Sequence, residues 1–192
     1  MPPKYEYPPT EFDPKPRRAP GSRNYFGILL ALAAAVVIID RLTKRFIVHR
    51  LPEGHAHTVI PGVLRITHVL NMGAAFSLFS DSASILAVRD GLVIFSLVAI
   101  VIVLAMLWRV RHTLNLTSIA LALILGGAIG NVYERIRYHF VVDFIEVHIV
   151  HYHWPDFNVA DSCIVIGACL LFIEIFRSHP RDDVDAPNKQ AT

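Results

Sequence analysis

Charge is scarce in this chain, and the places it avoids are informative. Charged residues make up 18% of 192 positions, against about a quarter in an ordinary soluble domain. The net charge is only +2, and no basic cluster is interleaved with aromatics, which argues against a nucleic-acid partner. The sequence contains no glycine-rich phosphate loop, no Gly-x-Ser-x-Gly turn and no HExxH helix spacing. It therefore carries no signature of nucleotide, serine-hydrolase or zinc-peptidase chemistry. Ser77 and Ser162 have no histidine or lysine at a telling spacing. Cysteine is limited to Cys163 and Cys169. Six residues apart on a helix, they sit about 9 Å apart along the axis and on different faces. That puts a disulfide out of reach, and both read as small apolar packing residues.

What the chain has in abundance is apolar sequence, 54% of residues, with a mean hydropathy of +0.47. It falls into four blocks, at about residues 25–48, 91–108, 114–132 and 158–176. Each is long enough to cross most or all of a hydrocarbon layer about 30 Å thick. The expected fold is an all-α membrane protein. It has four transmembrane helices, a small extramembrane β-sheet and an interfacial amphipathic segment. The four-helix core would span 25–176. Residues 1–24 hold seven of the twelve prolines and five Lys/Arg, and read as a disordered basic tail. Residues 177–192 read as a polar C-terminal tail.

Only 109–113, a short basic turn, separates the second and third blocks, so those helices are antiparallel neighbours. Between the first and second lies an outer insert at about 49–80. It is β-branched and has a Pro61-Gly62 turn, the pattern of a hairpin or small sheet. Residues 133–157, rich in aromatics and histidine, read as an interfacial loop. Four spans place both termini on one side, and the basic turn puts that side in the cytosol.

Against this background a few polar residues stand out. Asp143 and Asp161 lie at the edges of apolar segments, where an ionised group is expensive and so marks a functional site. Two carboxylates brought together share one proton and activate water. Asp40 and Lys44 are four apart on one helix face. Gly127, Asn131 and Arg135 line another stripe at the same spacing, and Asn158 and Asp161 are three apart. With antiparallel spans, these ends converge at one level near the outer surface. From the residues alone, three readings stand together: an aspartic peptidase, a proton-relay transporter and a scaffold whose polar ends anchor helices. The histidines His55, His57, His148, His151 and His153 read as interfacial rather than metal-binding, since no cysteine joins them.

Five segments carry a resemblance. They are Asp40-Arg-Leu-Thr-Lys44, Asn71-Met-Gly-Ala-Ala-Phe-Ser77, Gly126-Gly-Ala-Ile-Gly-Asn131, Val142-Asp143-Phe144 and Phe157-Asn158-Val-Ala-Asp161. In this order they resemble the lipoprotein signal peptidases, or signal peptidase II. The resemblance implies a four-helix inner-membrane aspartic endopeptidase. Its substrate would be diacylglyceryl-modified prolipoprotein, cut on the amino side of the lipidated cysteine. It implies Asp143 and Asp161 as the catalytic pair. Asp40, Lys44, Asn71, Gly73, Gly127, Asn131, Arg135 and Asn158 would be its substrate-binding or supporting residues. It implies no metal or organic cofactor, partners limited to substrate and membrane lipid, a monomer, and a site near the periplasmic face. One departure is visible: Glu134-Arg135 stands where the family usually shows aspartate-arginine, leaving the pairing of Arg135 open.

Overall fold

The computed structural model describes residues 23–73, 85–150 and 152–177. The two expected tails fall almost wholly outside these residues, as does the stretch from Ala74 to Ser77 of the second matching segment. In chain order the elements are α1 (Phe26–Arg50), β1 (Ala56–Ile60), β2 (Leu64–Asn71), α2 (Ile85–Arg109), α3 (Leu116–Tyr138), β3 (Val141–Ile149), β4 (Tyr152–Phe157) and α4 (Val159–Phe176). Among the described residues, four helices are long and apolar enough to cross a membrane. At about 1.5 Å per residue, the 25 residues of α1 extend about 37 Å, more than the hydrocarbon layer requires.

The burial pattern of α1 gives its orientation. Leu29, Ala33, Val36, Asp40, Lys44 and Ile47 are buried, a stripe at three- and four-residue spacing along one face. Ile28, Ile38, Ile39, Leu42 and Phe46, on the other faces, are exposed. A large apolar surface left bare by the protein is the surface lipid covers. The same holds for α2, where Phe95 is 73% and Val101 67% exposed. The α1 stripe is apolar over its first half and ionic over its second, so one helix contributes both to a dry core and to a polar site.

The dry end of the bundle is a cluster of Leu29, Ala33, Leu107, Leu121, Ala122 and Leu125. Here the Tyr25 N–H donates to the Arg111 carbonyl at 2.8 Å. The start of α1 therefore lies beside the turn between α2 and α3, as the antiparallel arrangement requires. Helix α3 occupies the centre. Asn115 and Ser118 form a reciprocal capping box at its start, satisfying donors that lipid cannot. Its small residues bring neighbours close: Gly126 lies against the Ala33 carbonyl and Val36, and Gly127 against the Ala160 carbonyl and Ile164. Contact at this range needs a residue without a side chain.

At the opposite end sits an antiparallel sheet in the order β1-β2-β3-β4. It is larger than the hairpin expected at 49–80, because residues 141–149 and 152–157, within the stretch 133–157 expected to be an interfacial loop, also form strands. Their sequence alternates (Ile145, Glu146, Val147, His148, Ile149), which is strand periodicity. Two short links fasten the sheet to the bundle. His139 ends α3 in the left-handed conformation, φ 70°, two residues before β3. Asn158 separates β4 from α4 and caps that helix.

The glycine contacts generate a prediction. A Cβ at position 126 would lie 2.6 Å from the Ala33 carbonyl oxygen. Gly126→Val should therefore force α1 and α3 apart and cost about 3 kcal/mol, whereas Gly27→Ala, with nothing within 4 Å, should be neutral or slightly stabilising. Thermal unfolding in detergent micelles distinguishes the two.

Candidate active site

Helix α3 carries two polar stripes, one residue out of phase. The first, Gly126, Gly130 and Glu134, faces α1. A Cβ on Gly130 would lie 3.0 Å from Asp40 Oδ2, and one turn on, Glu134 reaches the α1 cations. The second stripe is Gly127, Asn131 and Arg135. It faces α4 and a cavity of about 840 Å³ that Arg135, Asn131 and Asp161 line with apolar residues of α2, α3 and α4.

On the α1 side, Lys44 is almost completely buried and its Nζ has three acceptors. Asp40 Oδ2 lies at 2.8 Å, Glu134 Oε2 at 3.1 Å and Asn131 Oδ1 at 3.1 Å. Arg41 pairs with Glu134 Oε1 at 2.8 Å and lies over the Tyr133 ring. Two cations thus meet two carboxylates, so the buried group is electrically balanced, as burial demands. Asp40 Oδ1 accepts from the Ala160 N–H at 3.0 Å, satisfying a free donor in the first turn of α4 and placing a carboxylate at the positive end of that helix.

Asn158 and Asp161 form a second capping box. The Asn158 Oδ1 accepts from the Asp161 N–H at 3.0 Å, and Asp161 Oδ2 accepts from the Asn158 N–H at 3.2 Å. The remaining Asp161 oxygen accepts from Asn131 Nδ2 at 2.7 Å. Asn158 Nδ2 in turn donates to Asp143 Oδ1 at 2.7 Å. One asparagine therefore hydrogen-bonds both aspartates, which are 18 residues apart in sequence and lie on a strand and a helix. Asp143 Oδ2 accepts from Asn71 Nδ2 at 2.8 Å, and the Gly73 N–H holds the Asn71 Oδ1 at 2.8 Å. Gly73 has φ 100°, a conformation that favours glycine.

Asp143 is 2% exposed. Burial pushes its carboxyl up to about 6 and the Asp161 charge adds to the rise, against the Asn71 and Asn158 hydrogen bonds and the field of Lys44. This carboxyl keeps its proton to a higher pH than an ordinary aspartate does.

All ten residues singled out from the sequence lie in or beside this cluster. Gly127 supplies the close approach of α3 to α4 that brings Asn131 within reach of Asp161. The sequence left open whether Glu134 pairs with Arg135. The Glu134 carboxylate pairs with Lys44 and Arg41, and accepts from the Val142 N–H at 3.1 Å. It ties α3 to α1 and to the strand residue preceding Asp143. Arg41, inside the Asp40–Lys44 segment, was given no role of its own from the sequence. The spacing of 126, 130 and 134 was the available signal for Glu134.

Comparison with known proteins agrees with this geometry. The signal peptidase (SPase) II family, peptidase family A8, matches residues 32–177. A lipoprotein signal peptidase from Solibacter usitatus is 39% identical over 146 residues, covering 76% of this chain and 88% of its own. One from Syntrophotalea carbinolica is 40% identical over 153 residues, covering 79% and 92%. A bacterial membrane enzyme solved by the in meso method at 1.9 Å superposes with a TM-score of 0.70 and 30% identity, over 83% of this chain and 99% of its own. The multi-pass architecture, the paired aspartates and these relatives lead to one conclusion: the chain belongs to the signal peptidase II family of aspartic peptidases.

Proposed function

We propose that Asp143 and Asp161 are the catalytic pair of a prolipoprotein signal peptidase. The observation that carries the assignment is the double engagement of Asn158, whose side chain and backbone N–H hold one carboxylate each. Two acids so close cannot both ionise easily, so one keeps a proton while the other is charged. The charged carboxylate takes a proton from water as that water attacks the scissile carbonyl. The protonated one donates to the carbonyl oxygen, and a proton then reaches the leaving amine. The residues suffice for this chemistry without a cofactor.

Two apolar spaces meet at Asp161. The cavity between α2, α3 and α4 includes Leu92, Phe95, Ala128 and Ile164, and suits a signal-peptide helix. A groove of about 410 Å³ between the β3–β4 face and α4 includes Val147, Trp154, Phe157 and Val165, and suits acyl chains. A substrate lying across both presents the bond before its lipidated cysteine to the pair. Asn71 and Arg135 border this point and are positioned to hold substrate backbone. Lys44, Asp40 and Glu134 fix the pair without touching it, and Asn131 holds the Asp161 carboxylate directly. Bacterial relatives and the basic turn at Arg109 and Arg111 support a bacterial inner membrane location. In that reading the termini are cytosolic, the sheet is periplasmic and the enzyme acts as a monomer.

The direct test is cleavage of a diacylglyceryl-modified prolipoprotein by purified enzyme. Asp143→Asn and Asp161→Asn should each lower turnover by at least a thousandfold while the protein still inserts and folds. Full activity of either variant would overturn the assignment.

The position of Asp143 near 6 generates a pH prediction. Its folded-state value lies above its unfolded value, so the folded protein binds more protons between about pH 4 and 6. Its contribution to stability is present below pH 4 and is lost as pH rises through 6. Relative to the native enzyme, Asp143→Asn should therefore gain about 2–3 kcal/mol of stability between pH 4 and 7, whatever constant offset its altered hydrogen bonds introduce. Melting curves of both proteins across that range test the slope.

The supporting cluster makes a different prediction. Glu134→Gln leaves Lys44 and Arg41 facing Asp40 alone, and should cost about 3 kcal/mol with turnover reduced but measurable. A fully folded, fully inactive variant would instead give Glu134 a direct part in the reaction.

A further inference from the structure

The hairpin of β3 and β4 carries a cluster that the peptidase site does not use. His148 and His153 pair directly across the two strands, their rings stacked at 4.8 Å with 9° between planes. Both imidazole Nε2 atoms converge on one oxygen of Glu146, at 3.0 and 2.8 Å from Oε1. The ligand-capable atoms of the three residues all lie within 4.8 Å of one another. Glu146 is 4% exposed. Its other oxygen accepts no hydrogen bond among the described residues, although Arg65 Nε stands 3.3 Å away. Both register shifts beside β3 place the extra residue on the partner strand, β2 or β4, so β3 itself alternates without interruption: Glu146 and His148 share one face while Asp143, Val147 and Ile149 share the other.

We propose that Glu146, His148 and His153 form a binding site for a divalent transition-metal ion of the zinc, nickel or cobalt class, on the sheet face turned away from Asp143. Two imidazoles and one carboxylate oxygen are the donor set such ions take, whereas calcium and magnesium take oxygen alone. The spacing fits. Ligands about 2.1 Å from a tetrahedrally coordinated ion stand about 3.4 Å apart. The two observed nitrogen–oxygen separations, 2.8 and 3.0 Å, open by about half an ångström to reach that edge. The third edge, between the nitrogens, closes by small rotations of two parallel rings.

On binding, the ion takes the place of the hydrogens between the rings and the carboxylate. Each neutral imidazole then carries its proton on Nδ1, so the protein loses no proton and the ion's two positive charges are added to the site. Arg65 straddles the carboxylate, its Nη1 donating to Oε1 at 3.4 Å and its Nε 3.3 Å from Oε2; the ion displaces the long Nη1 bond from Oε1, and Arg65 stays beside Oε2. The His153 side chain is 54% exposed, so water reaches the site and completes the coordination. The ion would bridge β3 to β4, the edge strand whose other face lines the groove beside Asp161.

The test is titration of the purified, tag-free, chelator-stripped protein in micelles with zinc against a chromogenic competitor. The cobalt(II) absorption spectrum serves as a second readout. The native protein should bind one equivalent with low-micromolar or tighter affinity. His153→Ala, a change at a half-exposed position, should weaken it at least tenfold, and His148→Ala likewise. His57→Ala, on β1, should leave it unchanged. Absence of binding below about 100 μM, or equal binding in His153→Ala, would overturn the proposal.

Discussion

The structure depends on one buried ammonium group. Lys44 Nζ carries its charge into a low-dielectric interior, where it pairs with Asp40 and Glu134 carboxylate oxygens at 2.8 and 3.1 Å and donates to Asn131 Oδ1. Each acceptor residue reaches onward with another atom or bond. Asp40 holds the first turn of α4 through the Ala160 N–H, Glu134 holds β3 through the Val142 N–H, and Asn131 holds Asp161. A single point of charge in α1 thus sets the relative positions of the strand bearing Asp143 and the helix bearing Asp161. An uncompensated charge here would cost several kcal/mol. The arrangement persists because Arg41 completes the neutralisation of Glu134.

That balance also determines what the two aspartates experience. An isolated lysine beside them would favour both carboxylates in ionised form, and the pair would then lack a proton to donate. Asp40 and Glu134 offset most of the Lys44 field, so burial dominates at Asp143 and holds its carboxyl near 6. The groups in direct contact with the pair are amides from Asn71, Asn131 and Asn158, with one backbone N–H. A side-chain amide donates to an ionised carboxylate and, turned over, accepts from a protonated one. Neutral, reversible partners suit a proton that must move between two acids and water.

Much of this was legible in the sequence wherever the relevant geometry is local. Asp40 with Lys44, Asn131 with Arg135 and Asn158 with Asp161 sit at helical spacings, and the apolar blocks around them mark helices long enough to span. Antiparallel order followed from one short turn. Non-local geometry was harder. Glu134 belongs to the stripe of Gly126 and Gly130, which has meaning only once α1 is known to pack there. The strands at 141–157 were obscured by aromatic density and by Pro155, a residue that strands tolerate mainly at a sheet edge, which is where β4 lies. The histidines looked dispersed because the pairing that joins His148 to His153 is a cross-strand contact, invisible to any search for helical spacing.

The start of α4 shows why stability and chemistry are hard to separate here. A helix beginning near lipid has free N–H groups that water does not reliably reach. The Asp161 N–H goes to Asn158 and the Ala160 N–H to Asp40, both members of the polar cluster. The reciprocal bond from the Asn158 N–H fixes one Asp161 oxygen, so the cap orients the carboxylate that the proposed mechanism uses. The side-chain oxygens that accept from these N–H groups satisfy the membrane's demand on the helix end, and the reciprocal bond aims an acid at the cavity. A change at Asn158 therefore loosens a helix end and misplaces two carboxylates together. A change at Asp143, which caps nothing, alters the chemistry with far less disturbance of the fold.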